Sequence, residues 1–140
     1  MHPSRIFAAL FFALYVAACA SPTIQHVVPG QGPAPNSAQP GYLALMLGWI
    51  PPVTAPWSAN VMVLVGWILR GSRGYAVTLR LGIAAFLLSF TAWFFVSYEA
   101  TRIGFYLWQA SFIAFILWAY TARGEVKGRE QKPDPMTDLA

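Results

Sequence analysis

Between Tyr42 and Tyr120 the chain carries only five charged side chains, Arg70, Arg73, Arg80, Glu99 and Arg102, and long apolar runs fill the intervals. That spacing constrains the fold more than any other feature. A chain of 140 residues that is 57% hydrophobic and 10% charged lacks the polar surface to enclose so much apolar material in water, where an ordinary domain is about 25% charged. The runs approach the ~20 apolar residues that a helix needs to cross a bilayer. Only a helix satisfies every backbone polar group within one such segment. The fold class expected is therefore an all-α membrane protein.

Three crossings are expected, at 42–69, 75–98 and 103–120, within a membrane domain over residues 42–122. The first is broken by Pro51-Pro52, because an interior proline removes a backbone hydrogen bond and clashes with the preceding turn. It divides into a short piece, Tyr42 to Ile50, and a helix from Pro56 to Leu69, with Pro56 suited to the first helical turn. That helix alone spans about 21 Å at 1.5 Å per residue, so the short piece supplies the remaining depth or the bilayer thins. A re-entrant hairpin over the same residues is the alternative.

Seven of the nine basic residues lie in two places, Arg70, Arg73 and Arg80 after the first crossing and Arg123, Lys127, Arg129 and Lys132 after the third. Cytoplasmic loops collect Lys and Arg, so both places are expected inside the cell. The outer side then holds the turn Glu99 to Arg102, whose two charges form a weak exposed pair. It also holds residues 19–41, which contain no Lys, Arg or acid. This linker has Pro22, Pro29, Gly30, Gly32, Pro33, Pro35 and Pro40, and is expected to be an extended tether without helix or sheet ladder. Residues 123–140 mix both signs of charge with Pro133 and Pro135 and are expected to be a disordered cytoplasmic tail. Anionic lipid would be drawn to Arg123 through Arg129, with the interspersed acids weakening the attraction.

Residues 1–18 have the form of an export signal. Arg5 precedes an apolar run, Ile6 to Ala18, which is shorter than a comfortable crossing. The run closes on Val16-Ala17-Ala18-Cys19, and this segment resembles the lipobox of bacterial lipoproteins. The resemblance implies that Cys19 receives a diacylglycerol on sulfur, that the signal is cut before it, and that the new N-terminus is acylated. A lipidated Cys19 lies outside the cytoplasm, and one crossing over 42–69 then brings Arg70 inside, in agreement with the charge rule. The alternative reading makes Cys19 an ordinary small residue near the end of an uncleaved helix.

Aromatic rings are expected in two interfacial belts, with Trp57, Trp93, Tyr98, Phe105 and Tyr106 outside and Trp67, Tyr75, Trp118 and Tyr120 inside. Gly82, Ala85, Ser89 and Ala92 recur at helical spacing and form a small-residue face suited to close helix approach. Gly104, Ser111 and Ala114 on the third crossing are the expected partners. Asn60 and Gln109 are the costly polar side chains within the runs and need hydrogen-bond partners inside the bundle.

The phrases Gly48-Trp49-Ile50-Pro51-Pro52, Trp57-Ser58-Ala59-Asn60 and Gly104-Phe105-Tyr106-Leu107-Trp108 are similar to those of small uncharacterised bacterial membrane proteins, which implies no activity. One cysteine and two histidines supply neither a disulfide framework nor a Cys/His metal cluster. The basic residues form no continuous face with interleaved aromatics, so no nucleic-acid partner is expected. No nucleophile and base pair or phosphate loop is legible, so neither enzyme activity nor a cofactor is expected. The function expected is that of a non-enzymatic inner-membrane lipoprotein, an accessory or structural subunit of a larger complex, with the bilayer and other membrane chains as partners. The alternative is an oligomeric small transporter or channel component.

Overall fold

A computed structural model describes residues 2–24, 27–28, 32–33, 39–47, 54–70, 74–94 and 102–130. The elements in chain order are α1 (Pro3–Ala20), β1 (Pro22–Ile24), β2 (Val27–Val28), β3 (Gly32–Pro33), β4 (Gln39–Pro40), α2 (Gly41–Leu47), α3 (Thr54–Leu69), α4 (Gly74–Ser89) and α5 (Ile103–Glu130). A 3-10 segment, Phe90–Phe94, prolongs α4. The fold is all-α with two small ladders in its linker.

Among the described residues, three helical stretches are long and apolar enough to cross a membrane: Pro3–Ala20, Gly74–Trp93 and Ile103–Gly128, of 18, 20 and 26 residues. The second and third correspond to two of the crossings read from the sequence. The first is the segment read as a signal. The region 42–69 contains α2 and α3, and α3 has 16 residues, which is about 24 Å at 1.5 Å per residue. Residues 48–53, with the Pro51-Pro52 break, lie outside the described residues, as do Arg73, Tyr98 and Glu99.

Local sequence accounts for the element boundaries. Pro3 stands in the first turn of α1, where its missing N–H is not needed. Ser21 leaves α1 in extended conformation while its N–H still donates to the Ala17 carbonyl. Gly74 begins α4 at φ 75°, in the left-handed region that glycine enters without a Cβ clash. α5 passes Tyr120 and remains helical to Glu130, so residues 123–130 depart from the disordered tail expected there. Cations near a helix C-terminus favour its dipole, and Glu125 is tied to α1, which extends the ordered length. Residues 131–140 lie outside the described residues.

The linker also departs from expectation. β1 pairs antiparallel with β4, Pro22 opposite Pro40 and Ile24 opposite Gln39. β2 pairs with β3, Val27 opposite Pro33 and Val28 opposite Gly32. Each ladder has two strands, so each strand is an edge, and proline is tolerated where one side of the strand needs no partner.

Contacts between the four longer helices give their directions. Ser4 at the start of α1 meets Glu125 late in α5, while Arg102 before α5 donates its N–H to Thr23 beyond α1. α1 and α5 are therefore antiparallel. Tyr75 at the start of α4 packs on Trp118, and Trp93 at its far end packs on Phe105, so α4 opposes α5 as well. Asn60 lies beside Trp108 and Trp67 beside Trp118, so α3 runs with α5. α3 thus passes from one end of the bundle to the other, while the turn of the re-entrant alternative falls at Pro51-Pro52, outside the described residues.

This arrangement separates the bundle into two ends. Arg5, Arg70, Arg123 and Lys127 lie at one, with Arg80 in the second turn of α4 on the same side. The other carries Cys19, the β1–β4 ladder, α2, Trp57 and Arg102. Between them the core is aromatic: Phe11, Phe112, Phe115 and Trp118 are buried together with Ala59, Val63, Ala85 and Ala119. The perimeter is apolar, and Val16, Leu64 and Leu87 are exposed at 65%, 60% and 63%. Such a perimeter suits hydrocarbon, and each of these helices is too apolar all round to be a surface helix in water.

Candidate functional site

Asn60 holds the main polar junction between helices. Its Oδ1 accepts from Trp108 Nε1 at 2.8 Å and from Tyr15 Oη at 3.2 Å, joining α3 to α5 and α1. One amide oxygen therefore satisfies two donors that hydrocarbon could not. Sequence reasoning singles out Asn60 but not its partners, since Tyr15 and Trp108 read as apolar or belt residues.

Gln109, the other polar residue singled out, ends differently. Its Nε2 is buried without a hydrogen-bond partner among the described residues. Three hydroxyls in the runs turn back on their own helices. Ser89 donates to Phe86, Thr91 to Leu88 and Ser111 to Trp108, each at 2.6 Å. Thr78 is the exception, because its Oγ1 donates across to the Gly66 carbonyl at 3.0 Å and fastens α4 to α3.

Gly82, Ala85, Ser89 and Ala92 are all buried on one face of α4 and its 3-10 extension. A Cβ on Gly82 would sit 2.9 Å from Phe115 Cδ1 and 3.2 Å from Ile116 Cγ1, so α5 meets this face with large side chains. Gly104 on α5 serves another neighbour. A Cβ on Gly104 would lie 2.7 Å from Thr23 Oγ1, 2.8 Å from the Pro22 carbonyl and 2.9 Å from that of Ser21. Ser111 and Ala114 are buried at 0% and 2% exposure. Gly104 thus faces the segment after α1 and does not pair with the α4 stripe.

Cys19 is a free, half-buried thiol in the last turn of α1. Directly beyond it the chain is held in two places: Gly41 donates its N–H to the Ser21 carbonyl at 3.0 Å, and Arg102 donates to the Thr23 carbonyl at 3.0 Å. Gly41 also packs against the Ala18 carbonyl so closely that a Cβ there has no room.

The aromatic residues gather at both ends but point largely inward. Trp67 and Trp118 stand 4.4 Å apart by ring centroids, and Trp93 meets Phe105 edge-on at 5.2 Å. Trp57 Nε1 donates to the Leu45 carbonyl at 2.6 Å and ties α3 to α2. Tyr120 is 65% exposed, whereas Trp118 and Phe105 are 5% and 2% exposed, so part of each belt is core. Among the described residues, no three His, Cys, Asp or Glu side chains come together to hold a metal ion. No protein-family model, curated protein or solved structure matches the chain.

Proposed function

We propose that this chain is a non-catalytic lipoprotein of a bacterial inner membrane, an accessory or structural subunit of a larger membrane complex. The observation that carries this reading is how the polar groups that remain after cleavage are spent: Asn60 is engaged by Trp108, and Ser89, Thr91 and Ser111 by their own backbones, with Gln109 Nε2 left over among the described residues. A protein whose interior polar groups are largely engaged within its own helices has its faces and ends to offer. Apolar faces in lipid associate with other helices through close packing.

Support for the lipid anchor comes from the position of Cys19. It lies at the end of the bundle opposite Arg70, Arg123 and Lys127. With the cationic end in the cytoplasm, a diacylglycerol on its sulfur enters the outer leaflet of the inner membrane. The bonds from Gly41 to Ser21 and from Arg102 to Thr23 then hold the acylated N-terminus against the starts of α2 and α5.

A second reading has its own observation. Phe11 belongs to the buried core, and Ser4 Oγ donates to Glu125 Oε2 at 2.8 Å. Cleavage before Cys19 gives up both contacts, and retention makes α1 a permanent crossing with a cytoplasmic N-terminus. One experiment addresses both readings: native mass spectrometry of the chain isolated in mild detergent from its own membrane. The lipoprotein reading predicts a subunit that begins at acylated Cys19, and a subunit that keeps residues 1–18 without acyl mass contradicts it in favour of retention. The accessory role predicts a reproducible larger partner. A lone monomer contradicts that role, and a homo-oligomer favours the transporter alternative.

A further inference from the structure

At the cationic end, a groove of about 450 Å³ opens between the end of α3, the start of α4 and the late turns of α5. Arg70, Arg123 and Lys127 line it, with Gly74, Tyr75 and Val126 between them. Three of the seven lining residues are cations and none is an acid. The nearest described carboxylate on α5, that of Glu125, is turned toward α1, where it accepts from Ser4 Oγ and lies 3.9 Å from His2 Nδ1.

The cations are positioned by their elements. Arg70 is half-buried, donates from Nη1 to the Trp67 carbonyl at 2.6 Å and stacks over the Trp67 ring at 4.2 Å. A guanidinium has five N–H donors, so Arg70 retains others after this bond. Arg123 and Lys127 are four residues apart and share one face of α5. Gly74 adds the first turn of α4, which contains no acid and whose free N–H groups favour an anion.

What lies beneath the groove selects among anions. Ile83 and Leu87 are exposed at 43% and 63%. They stand seven and eleven residues beyond Ala76, another lining residue, and so share its face of α4. An anion seated among the cations therefore has an apolar track leading from it into the hydrocarbon. Arg80, exposed on the same side, is the only charge along the described part of that track.

We propose that this groove binds the phosphate of an anionic phospholipid from the leaflet at the cationic end, with an acyl chain along Ile83 and Leu87. Basic pockets between membrane helices are suited to such headgroups. The lining contains no residue of α1, but the bond that holds Glu125 aside comes from Ser4, so the assignment is made for the chain that keeps α1.

The test is lipid retention by the delipidated full chain, offered equimolar phosphatidylglycerol and phosphatidylcholine in detergent and read by native mass spectrometry. Phosphatidylglycerol should be retained in clear preference. Arg123→Gln and Lys127→Gln, both at exposed positions that leave folding intact, should each weaken that retention about fivefold. Lys132→Gln removes the same charge from the tail and should change it less than twofold. Equal retention of phosphatidylcholine would overturn the proposal, as would a Lys132→Gln effect equal to that of Lys127→Gln. Displacement of the lipid by equimolar inorganic phosphate would also overturn it, because the site would then read phosphate without the acyl chain.

Discussion

Asn60 sits where a polar side chain costs most, and its contacts explain how the bundle tolerates it. Interhelical hydrogen bonds in membranes contribute about 0.6 kcal/mol on average and up to about 1.7. Asn60→Leu leaves Trp108 Nε1, and in the full chain Tyr15 Oη, without an acceptor, so a loss of about 1 kcal/mol is expected. Reversible unfolding of the purified chain in SDS measures it. That Asn60 needed a partner was legible from its place in an apolar run. The partners were not, because they lie 45 and 48 residues away in sequence, and only the fold brings α1 and α5 to the same level of α3. Gln109 shows the same limit, since its position was as conspicuous as that of Asn60 but its Nε2 has no partner among the described residues.

At the scale of elements, large side chains meet small ones across the interface of α4 and α5. Phe115 fills the space over Gly82, with a Cβ there reaching 2.9 Å from its ring. Gly82→Val should destabilise the bundle by about 2 kcal/mol through overpacking. Gly124→Val, where a Cβ meets nothing within 4 Å, should change stability by less than about 0.5 kcal/mol. Thermal unfolding of the two variants side by side in one detergent makes the comparison, and equal losses would show that the α4–α5 contact differs from the one described. The crossings at 75–98 and 103–120 were readable because long apolar runs whose one charge is Arg80 admit little else. Two element boundaries were not. α5 continues to Glu130 with a tertiary bond from Ser4 to Glu125, which no local pattern encodes. The linker ladders need few bonds each, too few to overcome a sequence reading dominated by proline.

The whole molecule is organised by the separation of charge between its ends. That division was legible, because Arg70, Arg123 and Lys127 mark the same side on the charge rule alone. Packing adds Arg5 to that side, since α1 runs antiparallel to α5. The contacts of α1 were hidden because a signal and a short crossing share the same apolar length and the same leading cation. Both fates of α1 require the same orientation of the remaining helices, so the central claim is that the cationic end faces the cytoplasm. Gly128 provides a direct reporter, because a Cβ there meets nothing within 4 Å. A Gly128→Cys variant treated with a bulky membrane-impermeant maleimide should gain no label beyond its parent in intact spheroplasts and one additional label after permeabilisation. Labelling of the introduced thiol in the intact spheroplasts would contradict the account.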